Sequence, residues 1–213
     1  MNGLKNLKLT KNNNKFIYLI SPNKIENSKF YQDLKKIFSS KKVYFFQLRL
    51  KKEKYINKIL IGKKIKKICS DYNVKFIVND DPILAKELNA DGCHLGQKDM
   101  NIFEARKILK NKIIGITCHN SLRLAKKAVR DNADYIAFGA FYTSKTKKVK
   151  YRAYLKTLNL AKKITNVPIV AIGGIKLNNY KKLLLNKANF VAISGYIWNN
   201  KKYKPLEAIK KLK

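Results

Sequence analysis

Two aspartates, nineteen positions apart, each follow a short apolar segment of the kind that forms a buried β-strand. Asp80 comes after residues 74–78, and Asp99 comes after residues 92–95. The chain has 48 Lys and Arg against 13 Asp and Glu, so acids at these positions are not explained by a need for surface charge. Carboxylates at the ends of parallel strands meet at one edge, and Mg²⁺ is commonly held by one or two carboxylates together with substrate phosphates. Helix N-capping is the alternative for both acids, but we predict that Asp80 and Asp99 bind a divalent cation, which in turn holds an anionic leaving group.

Polar and apolar residues alternate in the segment Gln47 to Lys51, at the end of another apolar run. A period of two places Gln47, Arg49 and Lys51 on one face of a strand. Arg49 is one of five arginines in the chain, and burying it without an anionic partner would be costly. A structural salt bridge is the alternative, but the pattern favours an anion-binding role.

A double glycine follows the apolar segment 170–172, and we expect a helix directly after it. Glycines let backbone N–H groups approach a phosphate closely, and a helix N-terminus adds a favourable dipole. A tight strand-to-helix turn is the alternative for Gly173-Gly174 alone. Ser194-Gly195 at the end of the next apolar run favours a phosphate site formed by both segments.

Hydroxyls and amines are concentrated in the segment 141–148, which contains Ser144, Thr146 and Lys147. Hydroxyl and ammonium donors suit phosphate oxygens. In so lysine-rich a chain an ordinary exposed basic loop is the alternative, and the Ser-x-Thr spacing is the more informative part.

Several other polar residues have structural explanations. Asp81 precedes Pro82 and is expected to cap a helix, as are Asn101 and the pair Asn120-Ser121. The two histidines, His94 and His119, have no second His or Cys at metal-ligand spacing. We interpret both as hydrogen-bonded structural residues.

Eight short apolar runs alternate with segments of helical period from residue 16 onward. Near-continuous apolar runs are typical of parallel strands that are covered on both faces. Eight strand–helix units without a composition break predict a single (β/α)₈ TIM barrel over residues 16–213, preceded by a polar extension at residues 1–15. An open doubly wound sheet is the alternative. The predicted strands are Phe16–Ile20, Val43–Leu48, Val74–Val78, Gly92–Leu95, Ile113–Thr117, Tyr135–Phe138, Pro168–Ile172 and Phe190–Ser194.

The formal net charge of +35 raises the question of a nucleic-acid ligand. The excess is almost entirely lysine, whereas base recognition favours the bidentate guanidinium of arginine. The sequence also shows no clear pattern of basic residues alternating with aromatic residues on which nucleic-acid bases could stack. A solvated lysine coat is the preferred interpretation, and we expect no specific nucleic-acid partner.

Three cysteines without C-x-x-C spacing fit reduced thiols better than a disulfide framework. No apolar run approaches the length of about 18 residues that spans a bilayer, and the N-terminus lacks the apolar core of a secretory signal. We therefore expect a cytoplasmic protein without a membrane partner.

Taken together, the motifs resemble those of the thiamine phosphate synthase family over about residues 16–213. Each motif is weak alone, but their order and spacing together are highly specific. The segments that carry the resemblance are Gln47-Leu48-Arg49-Leu50-Lys51, Asn79-Asp80, His94-Leu95-Gly96-Gln97-x-Asp99, Gly115-Ile116-Thr117-Cys118-His119, Ser144-x-Thr146-Lys147 and Ile172-Gly173-Gly174-Ile175.

The resemblance implies a TIM barrel that joins a hydroxymethylpyrimidine diphosphate to a thiazole phosphate with Mg²⁺ as cofactor, releasing pyrophosphate. Arg49 and Lys147 are implied as the catalytic cations, and a homodimer is compatible with the sequence. The implied ligand sets are Asp80 and Asp99 for Mg²⁺; Gln47, Arg49, Lys51, Asn79, Thr117 and Lys147 for the pyrimidine diphosphate; and Ser144, Thr146, Gly174, Ile193 and Ser194 for the thiazole phosphate.

Three departures from the family pattern affect this transfer. Leu50 replaces a commoner Glu, and Thr117 stands where Ser is common. The segment Ala192 to Gly195 is one residue shorter than in some family members. A thiazole tautomerase on a similar barrel is the competing function, but it would not need the diphosphate-binding residues Gln47 and Arg49 or the two acids.

Overall fold

Short apolar segments form the eight strands of a closed parallel barrel in the computed structural model, which describes residues 15–143 and 150–213. Each strand pairs with its sequence neighbours, and the first pairs with the last. The predicted (β/α)₈ barrel is confirmed, and every strand boundary agrees within two residues. The strands are β1 Ile17–Ile20, β2 Val43–Leu48, β3 Lys75–Asn79, β4 Gly92–Leu95, β5 Ile113–His119, β6 Tyr135–Gly139, β7 Ile169–Ile172 and β8 Phe190–Ile193.

Helices surround the barrel and return the chain to the start of each following strand. The three predicted caps form: side-chain oxygens of Asp81, Asn101 and Ser121 accept backbone N–H bonds at the starts of three of these helices. Among the described residues the helices are α1 Ser28–Ser39, α2 Tyr55–Asp71, α3 Pro82–Glu87, α4 Ile102–Leu109, α5 Leu122–Arg130, α6 Leu155–Ile164, α7 Tyr180–Leu185, α8 Gly195–Trp198 and α9 Pro205–Lys211.

Two separate apolar clusters follow from the alternation of side chains along each strand. The larger cluster lies between the barrel and the helices and contains residues such as Leu34, Phe46 and Leu158. The smaller cluster fills the barrel interior with large rings, among them Phe45 and Phe190, whose centroids are 5.1 Å apart. The interior is therefore a packed core rather than a channel, and ligands have access only at its ends.

An Asp or Asn side chain at the amino end of the barrel binds the preceding strand in front of each of three even-numbered strands. Asp91, Asp134 and Asn189 each directly precede a strand, and each side-chain oxygen accepts a backbone N–H bond from the preceding strand at 2.8–2.9 Å. Asp134 is buried and also forms an ion pair with Arg106 at 2.8 Å. These contacts set the register of neighbouring strands at the end opposite to the predicted site.

All three cysteines lie in the described part of the chain and are buried free thiols, as the sequence predicts. Within the same residues, no helix is both long enough and apolar enough to cross a bilayer.

Candidate functional site

A pocket of about 530 Å³ opens at the carboxyl ends of β2 and β3. This is the end of a barrel at which active sites form, because the loops after the strands converge there. The pocket is lined by Leu48, Leu50, Lys51, Lys58, Asn79, Asp80, Asp81, Pro82, Leu84 and Met100.

Asp80 and Asp99 meet at this mouth, as the sequence predicts, and share a side-chain hydrogen bond. The backbone N–H of Asp80 donates to the carbonyl of His94 at 2.8 Å, and Asp80 has a φ of 65°, in the left-handed region that few non-glycine residues adopt. Asp99 Oδ2 accepts the backbone N–H of Gly96 at 2.7 Å. Both carboxyl groups are thus oriented by the backbone of the β3 and β4 ends.

The two carboxyl groups are tuned in opposite directions. Burial acts to raise the pKa of Asp80, but hydrogen bonds with Lys51 and Asp99 outweigh it, so the pKa lies below its ordinary value. Burial raises the pKa of Asp99, and the neighbouring Asp80 raises it further against the N–H bond from Gly96. Two neighbouring carboxyl groups of which one has a raised pKa are a site that a cation could stabilise.

Positive charge already lies at this pair, since Lys51 Nζ is 2.6 Å from Asp80 Oδ2. Among the described residues no group of three or more His, Cys, Asp or Glu side chains could hold a metal ion. Two carboxylates fit Mg²⁺, which takes few protein ligands and completes its shell with water and phosphate oxygens. The donor set therefore suits a cation that arrives with a phosphorylated substrate.

Gln47 and Arg49 lie at different depths on the same strand end. Gln47 is buried and donates from Nε2 to the hydroxyl of Tyr18 at 3.0 Å. Arg49 lies partly exposed at the rim, where its guanidinium donates to Asn23 Oδ1 at 3.3 Å. Within the described residues Arg49 has no carboxylate partner, so its charge is available to an anion and the salt-bridge alternative is not supported there.

The departure at Leu50 has a structural explanation. The side chain is 4% exposed and packs in the outer apolar cluster while forming part of the pocket wall. A glutamate at this position would bury a charge, so the apolar residue suits this chain's own packing.

The double glycine adopts backbone conformations that other residues rarely take, with φ of 105° at Gly173 and 61° at Gly174. A Cβ on Gly174 would lie 2.2 Å from the carbonyl oxygen of Thr143, in the loop after β6. Tyr142 N–H donates to the Gly173 carbonyl at 3.1 Å, which joins the two loops. The β6 and β7 loops therefore approach each other closely at the double glycine, and the phosphate site predicted there stays a prediction.

The prediction of a helix directly after the double glycine is wrong. Helix α7 begins only at Tyr180, because Asn179 closes a loop in between. Asn179 Oδ1 accepts from Lys176 N–H at 2.8 Å, and its Nδ2 donates to the Gly174 carbonyl at 3.1 Å. An amide side chain satisfies backbone groups that a helix would otherwise have used.

The end of β8 approaches the end of β1. Ser194 Oγ donates to the Ser21 carbonyl at 3.1 Å, and helix α8 begins directly after Ser194. The Ile193 side chain is buried in the outer cluster, so only its backbone can face a ligand at the mouth. Ser144, Thr146 and Lys147 lie outside the described residues.

The sequence pattern did not reveal a chain of hydrogen bonds across the barrel interior. The Tyr18 hydroxyl lies 2.8 Å from that of Tyr135, and Tyr135 is 2.8 Å from His94 Nδ1. His94 Nε2 is in turn 2.8 Å from Thr117 Oγ1. The structural interpretation of His94 is confirmed, but its partner Thr117 belongs to the predicted substrate site. His119 packs against Tyr151, with ring centroids 4.2 Å apart and an interplanar angle of 31°.

Comparison with known proteins identifies the family. Residues 17–197 match a family model described as thiamine monophosphate synthase. A thiamine-phosphate synthase of Pelagibacter ubique is 73% identical over 207 residues, which are 97% of this chain and 100% of that protein. One of Erythrobacter litoralis is 40% identical over 86% of this chain and 88% of its own length.

A solved thiamine phosphate pyrophosphorylase from Pyrococcus furiosus has the same architecture, with a TM-score of 0.83 and 25% identity over 94% of both chains. A 3-hexulose-6-phosphate synthase, with a TM-score of 0.68 and 16% identity, shares the fold alone. The near full-length match, together with the acid pair and the glycine loop at one barrel mouth, shows that the chain belongs to the thiamine monophosphate synthase family of transferases.

Proposed function

We propose that the chain transfers the 4-amino-2-methylpyrimidin-5-ylmethyl group from its diphosphate to 4-methyl-5-(2-phosphooxyethyl)thiazole. The products are thiamine phosphate and pyrophosphate. The observation that carries this proposal is the meeting of Asp80 and Asp99 at a mouth that also holds Arg49, Lys51 and the double glycine. One reaction that needs both a diphosphate site and a phosphate site explains this combination.

Arg49 and Lys51 are assigned to the diphosphate of the pyrimidine substrate. As its C–O bond breaks, negative charge grows on the leaving pyrophosphate, and fixed cations at this point lower the barrier. Lys147 is assigned the same role because its motif resembles that of the family. Mg²⁺ bound by Asp80 and Asp99 would supply additional charge neutralisation at the leaving group.

Gln47 and Asn79 are also assigned to the pyrimidine diphosphate, and Thr117 to the pyrimidine side of the site. All three lie at or within two residues of the carboxyl ends of β2, β3 and β5. The pyrimidine amino group donates electrons into the methylene cation that forms when pyrophosphate leaves. The thiazole nitrogen then forms the new C–N bond. These reaction steps need no nucleophilic side chain, so the residues of the site act by binding and orienting the substrates.

The phosphate of the thiazole is assigned to Gly174, Ser194 and the backbone of Ile193, together with Ser144 and Thr146 by motif. Support comes from the close approach of the β6 and β7 loops at Gly174 and from Ser194 at the neighbouring strand end. Anchoring this phosphate would hold the thiazole nitrogen facing the methylene carbon.

The test is incubation of the purified protein with both substrates and Mg²⁺, measuring released pyrophosphate and thiamine phosphate. We expect equal amounts of both products, and neither when one substrate is omitted. Isomerisation of a thiazole carboxylate phosphate without pyrophosphate release would instead assign the chain to the tautomerase reaction and overturn the proposal.

Replacing Gly174 with alanine is expected to raise the KM for the thiazole phosphate by about 10-fold, because the left-handed backbone and the contact with Thr143 both oppose a Cβ. The KM for the pyrimidine diphosphate should not change measurably. Steady-state kinetics with each substrate varied in turn measures both values.

The matched control for Gly174→Ala is Leu177→Ala, which truncates an exposed side chain of the same loop. It should leave both KM values unchanged. An equal effect of Gly174→Ala on the two substrates would contradict the phosphate assignment.

A cytoplasmic location and a homodimer are further proposals. Three buried free thiols support a reducing compartment. Sedimentation equilibrium of the purified protein tests the homodimer, and a single species at the 24.7 kDa monomer mass would reject it.

A further inference from the structure

Five polar side chains from five different strands form one continuous chain of hydrogen bonds inside the barrel. It runs from Gln47 through Tyr18, Tyr135 and His94 to Thr117, with successive distances of 3.0, 2.8, 2.8 and 2.8 Å. Tyr18, Gln47, Tyr135 and His94 are all buried, with 8% exposure or less. Burying so many polar groups is costly unless each hydrogen finds an acceptor, and this condition sets the direction of the chain.

The direction follows from a count of hydrogens. Gln47 donates to the Tyr18 oxygen. With the Gln47 amide donating to Tyr18, the Tyr18 hydrogen goes to its other described partner, the Tyr135 oxygen. The Tyr135 oxygen then accepts from Tyr18, so the Tyr135 hydrogen goes to its second partner, His94 Nδ1. The reverse direction would leave the buried hydroxyl hydrogen of Tyr18 without an acceptor, which is unfavourable in a buried site.

This direction makes His94 a neutral imidazole that carries its proton on Nε2. Its Nε2–H then donates to Thr117 Oγ1. The Thr117 hydroxyl has thereby used an acceptor position and must donate its own hydrogen elsewhere.

A glycine inside the barrel leaves room for these hydrogen-bonded side chains. A Cβ on Gly115 would lie 1.9 Å from the ring of Tyr135, so the glycine on β5 leaves room for that ring. The Tyr135 ring also stacks on His94 with an interplanar angle of 17° and packs against Tyr18. Both tyrosine rings therefore have little freedom to reorient, and the hydrogen-bond direction persists.

We propose that Tyr18 and Tyr135 are positioning residues that, through the His94 tautomer, make Thr117 a hydrogen-bond donor to an acceptor atom of a heteroaromatic substrate. The inference rests on the proposed function, which assigns Thr117 to the pyrimidine side. An unprotonated ring nitrogen of a pyrimidine is such an acceptor. A ring that presents an N–H or C–H at that point would leave the Thr117 hydrogen unpaired, so the arrangement selects the ring as well as orienting it.

The first test needs no substrate. The chain has two histidines, so long-range ¹H–¹⁵N spectra of the labelled protein resolve both rings, and a His119→Gln variant assigns them. We expect His94 to show the Nε2–H tautomer in the wild type and to lose that preference in Tyr135→Phe. A wild-type Nδ1–H tautomer, or an unchanged tautomer in the variant, would overturn the proposal.

The second test is a double-mutant cycle with the pyrimidine diphosphate as the varied substrate. Tyr135→Phe and Thr117→Val are each expected to raise its KM by about 10-fold, since each leaves a buried polar partner unsatisfied. The double variant should have the same KM as Thr117→Val alone, because the hydrogen-bonded tyrosines act on the substrate only through Thr117. Effects that multiply would contradict a shared route.

Tyr180→Phe is the matched control for the cycle. Tyr180 is a buried tyrosine of the outer cluster whose hydroxyl donates to the Lys213 carbonyl, away from the mouth. It should lower stability without changing the KM or the His94 spectrum. If the wild type releases no pyrophosphate, the proposed function fails, while the tautomer measurement still decides the hydrogen-bond direction.

Discussion

Replacing Asp80 with alanine is expected to reduce turnover by about 10²-fold or more, since loss of even indirect support at a metal site costs 10–100-fold. The variant removes one of two carboxylates assigned to Mg²⁺ and also frees Lys51 from its 2.6 Å ion pair. Two changes then act on the leaving group: weaker cation binding and a displaced ammonium. Initial rates over a range of Mg²⁺ concentrations measure the loss.

Direct cation binding provides a second readout for Asp80→Ala. We expect the affinity for Mn²⁺, followed by its electron paramagnetic resonance signal in the presence of pyrophosphate, to fall together with the activity. Unchanged Mn²⁺ affinity would contradict the assignment of Asp80 as a metal ligand.

The neighbouring aspartate offers the matched control. Asp81 Oδ1 caps helix α3 by accepting from Leu84 N–H at 2.9 Å. Asp81→Ala should therefore cost about 1 kcal/mol of stability through the lost cap. The turnover of Asp81→Ala at saturating substrate should remain near that of the wild type. The loss in Asp80→Ala would then come from the missing metal ligand and not merely from one fewer negative charge nearby.

Asp134→Ala is expected to lower the free energy of unfolding by about 3 kcal/mol, the usual cost of breaking a buried ion pair from one side. Asp134 is 4% exposed and accepts from both Arg106 and the backbone N–H of Ile114. Its removal leaves a strand N–H and a guanidinium without their carboxylate. For a chain of this size the midpoint of thermal unfolding should fall by about 6–12 °C.

Asp131→Ala is the control for that measurement. Asp131 lies three positions before Asp134, and the substitution breaks its ion pair with the exposed Lys127. Such surface pairs contribute less than about 1 kcal/mol. Similar losses in the two variants, measured by denaturant unfolding, would show that the contacts of Asp134 at the amino end of β6 do not stabilise the barrel as argued.

The sequence alone was sufficient to predict the barrel and the meeting of Asp80 with Asp99. Continuous apolar runs mark strands that are covered on both faces, and in a closed parallel barrel all strand ends meet at one mouth. Asp80 and Asp99 follow the ends of the adjacent strands β3 and β4, so they lie on the same part of that mouth despite their separation along the chain. The tight turn at Gly173-Gly174, which was the alternative to a phosphate site there, agrees with the positive φ of both glycines.

The tertiary structure decided the contacts that depend on which side chain faces which. Tyr18 and Tyr135 are 117 positions apart, and each looks like an ordinary apolar strand residue in its own segment. Their hydrogen bond exists because barrel closure brings β1 and β6 across one interior, which no local pattern encodes. Likewise Asn179, rather than a helix, closes the loop after Gly174, because a single side chain can satisfy backbone groups that local propensity assigns to a helix.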